Sequence, residues 1–386
     1  MSLRANPAYE LVLFDRLSPS EQLAFEGLGH DPDCYGILRP RQETSLSAKA
    51  VTRDTALLLV TLGNPSPLPR YAIAALGDQC DSVIGQMVLD GILEIEANGE
   101  MLSGPAAYKL IFSEPKSPEP EGSVATLSRR ALEYAEKLRI TDQVVLSSRL
   151  YTYNRVPASP RWRRLLPDEE AVEHHLGIRN GGAARILDRS WIRVPPQAGG
   201  GWTAWRSRRA TYGRNGSATY KLYVSPACAE LRAAFQATAE AVSQSTALHW
   251  KVGSDVFGLL RPDKIVVYFR ELADLRATAA HLQEKLQRCS AQGVPFTAEI
   301  TPGGLLSWGI DPPTEEHSVP WLAQESWRGR ICNRLGAALT LAKTTADVGI
   351  LPSRFAVERL RLEGIDTDTW TPTGALAWGA KAASRR

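Results

Sequence analysis

The chain has 386 residues, 44% of them hydrophobic and 23% charged, and its formal net charge is only +3. That length is too great for one ordinary core and fits two or three domains, while the composition excludes a disordered or fibrous chain. The five cysteines are scattered, odd in number and without a CxxC pair, so neither a disulfide framework nor a zinc site is expected. No apolar run approaches the roughly 20 residues of a membrane span. Residues 1–7 also lack the apolar core of a signal peptide, and a cytoplasmic protein with free thiols is expected.

In chain order, residues 1–112 read as a small winged-helix-like domain. Apolar spacing predicts helices over residues 45–62, 68–77 and 78–90. Alternating positions around Asn98-Gly99 then predict a two-residue hairpin. The stretch 78–90 carries Asp78, Asp81 and Asp90 and no Lys or Arg, so it gains little from phosphates and DNA is not the expected partner. Peptide capture by strand addition needs no basic helix and is the preferred reading of this domain, beside a purely structural role. Residues 113–123, with Pro115, Pro118 and Pro120, form a semi-rigid linker.

Residues 124–350 read as a mixed-sheet α+β domain, and 351–386 as a C-terminal extension. Strands are predicted at 146–153, 202–209, 219–224, 265–269 and 296–300, and helices at 126–137, 228–245, 272–290 and 327–344. Five glycines and two prolines within 181–201 predict a mobile loop of the kind that closes over a site.

Charge is concentrated in one place. Between Gly201 and Phe269 there are nine Lys or Arg residues against four acids, a local excess larger than the net charge of the whole chain. Such a surplus points to an anionic ligand. Alternation places Arg206 and Arg208 on one strand face, where two guanidinium groups suit bidentate binding of a phosphate; taken alone, the pair is explained more simply by a solvated edge strand. Lys221, flanked by Tyr220, Leu222 and Tyr223, is a desolvated amine able to move a proton, or a lysine whose stem snorkels to solvent. His249 and Lys251 share a face about 7 Å apart, a spacing that lets one group take a proton and the other return one. In Arg261-Pro262-Asp263-Lys264, the proline stiffens the approach to a buried-type strand, and Asp263 can orient Arg261 or Lys264.

Lys221-Leu-Tyr-Val, His249-Trp-Lys-Val and Arg261-Pro-Asp-Lys-Ile-Val-Val-Tyr-Phe, followed by Val294-Pro-Phe-Thr and Thr301-Pro-Gly-Gly, are similar in kind and order to the HopA-type family. That family includes bacterial type III effectors and lyases of class V lanthipeptide and thioamitide biosynthesis. The resemblance covers roughly residues 145–345. It implies β-elimination of phosphate from phosphoserine or phosphothreonine in a ribosomal precursor peptide, with a separate kinase as partner and no metal or organic cofactor. Under it, Lys221, His249 and Lys251 are the proton carriers, with either lysine as base. Arg206, Arg208, Arg261 and Lys264 hold the phosphate, and Tyr153, Arg155, Tyr223 and Asp263 contact the peptide. A phosphopeptide-binding adaptor without catalysis needs the same cations but no desolvated base.

Overall fold

The computed structural model describes residues 2–29, 34–42, 46–112, 122–195, 201–209, 219–311, 325–345 and 349–373. The linker residues 113–121, the loop residues 196–200 and the tail from 374 lie outside the described residues. The fold is mixed α+β. Among the described residues no helix is long and apolar enough to cross a membrane.

The N-terminal unit opens with β1 (Leu3–Ala5), β2 (Tyr9–Leu13), the short helices α1 (Pro19–Ala24) and α2 (Glu26–Gly29), β3 (Cys34–Pro40) and β4 (Lys49–Thr52). Helices α3 (Arg53–Thr61), α4 (Arg70–Leu76) and α5 (Cys80–Leu89) follow, then strands β5 (Leu93–Ala97) and β6 (Glu100–Leu102) and the short helix α6 (Tyr108–Ile111). The three helices and the hairpin stand in the expected order. Asn98 and Gly99 take φ values of 52° and 83°, as a primed two-residue turn requires. The helix expected from residue 45 begins later, because Lys49–Thr52 pairs with β3 and Thr52 caps α3 by accepting the Thr55 N–H at 3.3 Å. The antiparallel β2–β3–β4 sheet was not anticipated.

The second unit begins with α7 (Ser123–Lys137) and α8 (Gln143–Tyr151), then α9 (Pro160–Leu165), α10 (Glu169–Leu176) and α11 (Gly182–Ser190). Two expectations fail here. Residues 146–153 were read as a strand, but Asp142 caps the Val145 N–H at 2.8 Å, and Leu146 and Leu150 bury one helical face. The glycine-rich loop expected over 181–201 is mostly regular structure: its apolar residues Ala183 and Leu187 seat α11 on the core, and the chain continues as β7 (Trp191–Val194).

The remaining elements build the sheet. They are β8 (Trp202–Ser207), β9 (Thr219–Val224), α12 (Leu231–Ser243), β10 (His249–Gly253), α13 (Val256–Leu259), β11 (Ile265–Phe269), α14 (Leu272–Lys285), β12 (Ala298–Glu299) and β13 (Leu306–Asp311). After them come α15 (Trp327–Thr344), α16 (Pro352–Leu362) and the small pair β14 (Ile365–Asp366) and β15 (Thr371–Pro372). Seven strands pair antiparallel in the order β12-β13-β9-β11-β10-β8-β7.

Directly paired residues share a sheet face, so the register defines two surfaces. One row runs Trp308, Leu222, Val267, Trp250, Trp205, all buried. Trp250 stacks between Trp205 and Phe235 of α12, at centroid distances of 4.7 and 5.2 Å, and this face is the main core. Lys221, Tyr268, His249 and Arg206 form a row on the opposite face, and Tyr223, Val266, Lys251 and Ala204 the next.

Helices α8 and α15 pack against each other beside that second face. Gly336 of α15 makes their approach possible, since a Cβ there would collide with Ser147. Helix α16 is part of the core: its Phe355 and Leu360 are buried, and Arg359 grips Asp90 at the end of α5 through two 2.6 Å bonds. The N-terminal unit is thereby docked to the second.

Candidate active site

Alternation along three adjacent strands, with the turn that leads into β11, brings Lys221, His249, Lys251 and Arg261 together. Lys221 is buried and ion-paired with Asp311, the last residue of β13. Its Nζ lies 5.1 Å from the centroid of Tyr268. His249 stacks on the other side of the row against the same tyrosine ring, at 3.8 Å and 19°. Lys251 rests on Trp202, with Nζ 4.2 Å from the ring centroid and 5.7 Å from that of Tyr268. Among the described residues no carboxylate pairs with Lys251.

Lys251 and His249 on this face depart from their ordinary titration for stated reasons. Burial, then repulsion from Lys221, lowers the Lys251 pKa to about 8. Burial, then Lys251 and Lys221, lowers that of His249 to about 4. At neutral pH the His249 imidazole is therefore neutral. An anion placed between the cations reverses the Coulombic part of both shifts.

Arg261 is held from one side. Asp263 accepts from its Nε and Nη2 at 2.9 Å each, and the guanidinium lies over the rings of Trp202 and Tyr151 at 4.8 and 5.7 Å. The clamp leaves Nη1 out of those bonds, so a fixed donor pair remains for an anion. Asp263 is itself held by Arg328, whose Nη1 lies 2.9 Å from Oδ2, and by the Tyr151 hydroxyl at 3.4 Å. Burial opposes its charge, but Arg328 and Arg261 outweigh this and keep the carboxyl well below the usual range.

Several sequence expectations change. Asp263 was expected to touch substrate; it is 4% exposed, and its acceptors are occupied by two arginines and a tyrosine. Lys264 was expected to bind phosphate. It is fully buried, and its ammonium donates to the Pro226 carbonyl at 2.8 Å, to Gln292 and toward Cys228, joining three segments at the end of the sheet. Replacing Lys264 with Met is expected to leave phosphate affinity unchanged and to cost roughly 1–3 kcal/mol of stability from unpaired acceptors, read by denaturant titration and phosphate binding.

Arg206 falls in the His249 row and is exposed, whereas Arg208 lies beyond the end of β8 and is exposed. Tyr223 is on the site face but buried against Val266 and Val294. Tyr153 is turned away toward Tyr134 at 5.5 Å, and Arg155 is exposed in the turn after α8. Asn154, at φ 65°, fixes that turn by donating to the Gln292 and Gly293 carbonyls. Sequence reasoning missed Asp311, Arg328, Tyr151, Trp202 and Tyr268. Arg328 had one visible signal, a cation inside the predicted helix 327–344 whose face is otherwise apolar. Among the described residues no group of three or more His, Cys, Asp or Glu is placed to hold a metal ion.

No protein-family model matches the chain. None of the curated proteins matches it either. Among solved structures it is similar to an effector protein from Pseudomonas syringae pv. syringae strain 61, at 13% identity and a TM-score of 0.39, over 66% of this chain and 99% of that one. An effector protein from Pseudomonas syringae pv. tomato strain DC3000 is matched at 15% identity and a TM-score of 0.36, over 65% and 98%. A structure concerned with the catalytic mechanism of phosphothreonine lyase is matched at 12% identity and a TM-score of 0.26, over 55% and 99%.

Proposed function

We propose that the protein is a lyase that eliminates phosphate from phosphoserine or phosphothreonine in a ribosomally made precursor peptide, leaving dehydroalanine or dehydrobutyrine. The observation that carries this reading is Lys251, a desolvated amine without a carboxylate partner among the described residues, set among cations on one sheet face. A site built only to bind phosphate gains nothing from an amine that gives up its proton near neutrality. A site that abstracts a proton needs one.

In the proposed reaction the neutral Lys251 amine takes the α-proton of the phosphorylated residue. The C–H electron pair becomes the Cα=Cβ bond, and the Cβ–O bond breaks with its electrons leaving on phosphate. Arg261 and Lys221 neutralise the departing charge. The bound phosphate dianion raises the His249 pKa, so the imidazole takes a proton from solvent as substrate binds and then donates that proton to the leaving oxygen. A separate kinase supplies the phosphate. We assign the N-terminal unit as a winged-helix-like module that holds the unmodified part of the peptide; α5 bears Asp81 and no Lys or Arg, a composition suited to a peptide more than to nucleic acid.

The test is incubation with a peptide carrying phosphothreonine, followed by mass spectrometry. Loss of one phosphoric acid is the expected result. A peptide that binds and keeps its mass would leave only the adaptor reading.

A further inference from the structure

We infer that Asp311 is a positioning residue: it fixes Lys221 as the standing cation of the site, anchors it to the first turn of α15, and leaves Lys251 as the amine free to take a proton. The inference rests on the lyase reading of this face and tells its two lysines apart.

Asp311 has one oxygen for each job. Oδ1 accepts the Trp327 N–H at 2.8 Å, at the start of a helix whose N-terminal dipole favours a carboxylate, and Oδ2 pairs with the Lys221 ammonium. The next residue along the helix, Arg328, reaches Asp263, which in turn clamps Arg261. Two consecutive residues of α15 therefore anchor both phosphate-facing cations, each through one carboxylate. The contact between β13 and α15 is also close. Gly309, paired with Lys221, has no side chain, and a Cβ there would lie 2.5 Å from Trp327 Cδ1, so the indole occupies that space. A slip of α15 would carry both cations with it.

The groups acting on Lys251 are Lys221 of β9, His249 of its own strand, Asp311 of β13 and Arg261 and Asp263 of the turn before β11. The rings of Trp202 and Tyr268 lie against it. Of these charges, Lys221 and Arg261 favour loss of the Lys251 proton, and Asp263 and Asp311 oppose it.

The test substitutes Asp311→Asn, which keeps an oxygen for the Trp327 N–H and removes the charge. Trace acetylation of the full chain across a pH series, with label at each site lysine quantified by peptide mass spectrometry, needs neither substrate nor turnover. The wild type should show a Lys251 midpoint near 8. In Asp311→Asn the Lys251 midpoint should fall by about one pH unit, because a carboxylate that favours its ammonium is gone. The acid limb of kcat/KM on a phosphopeptide should move with it.

An unchanged Lys251 midpoint in a cooperatively folded Asp311→Asn protein would overturn the inference. Should that variant not fold, Asp311→Glu retains the charge and should keep the midpoint within a few tenths of wild type; a full-unit shift there overturns it as well. A wild type that labels as expected yet never eliminates phosphate would remove the lyase reading and leave the positioning role of Asp311 standing.

Discussion

Replacing Lys251 with Met should slow single-turnover elimination by about 10³-fold, the usual scale for a positioned base. Phosphopeptide affinity should fall by no more than about tenfold, because Lys221 and Arg261 keep their charge. Methionine retains the unbranched stem that lies on Trp202, so loss of the amine is isolated from loss of packing. The pH dependence follows from the same group. Only the neutral amine takes a proton, so kcat/KM should rise about tenfold per unit below the Lys251 midpoint and level off above about 8. In the complex the phosphate dianion favours the ammonium, so the corresponding limb of kcat should lie at higher pH. A Lys251→Met protein that eliminates at the wild-type rate would transfer the base role elsewhere, with Lys221 the next amine to replace.

The second large effect is on stability. Asp263→Asn should destabilise the fold by about 3–5 kcal/mol, the cost of leaving a buried charge without its partner. The reason is Arg328, which is 1% exposed and has Asp263 beside its Nη1. Its other donors bond the Pro295 and Tyr151 carbonyls at 3.2 and 2.8 Å, so the guanidinium cannot swing to solvent without breaking the joint between α8, α15 and the turn at Pro295. Denaturant unfolding reads the change directly. An unfolding midpoint equal to wild type would mean that the two arginines are held by their remaining contacts and that Asp263 is dispensable.

Much of the sheet was legible because strand alternation is local. Thr219–Val224 and Ile265–Phe269 have the predicted bounds, and the shared face of His249 and Lys251 follows from a period of two. Helix Trp327–Thr344 was legible for the corresponding reason, a period near 3.6 over eighteen residues. The errors fall where periodicity carries no information. In the turn Arg261-Pro262-Asp263-Lys264, side-chain direction is set by tertiary partners, and the sequence alone did not show that Asp263 meets Arg328 while Lys264 meets Pro226. Tyr151 and Arg328 reach the site from helices distant in sequence, so nothing near Arg261 signals them. The stretch 146–153, expected as a strand, follows two adjacent valines, Val144 and Val145; both face outward from α8, and the buried positions Leu146 and Leu150 decide the structure.

The measurement that bears most directly on the central claim uses a phosphothreonine peptide deuterated at the α-carbon. Proton abstraction by Lys251 predicts release of inorganic phosphate with loss of the deuterium, a dehydrobutyrine product, and a slower single turnover than the protiated peptide. Release of phosphate with the deuterium retained and threonine as product would show hydrolysis instead, and would contradict elimination at this site.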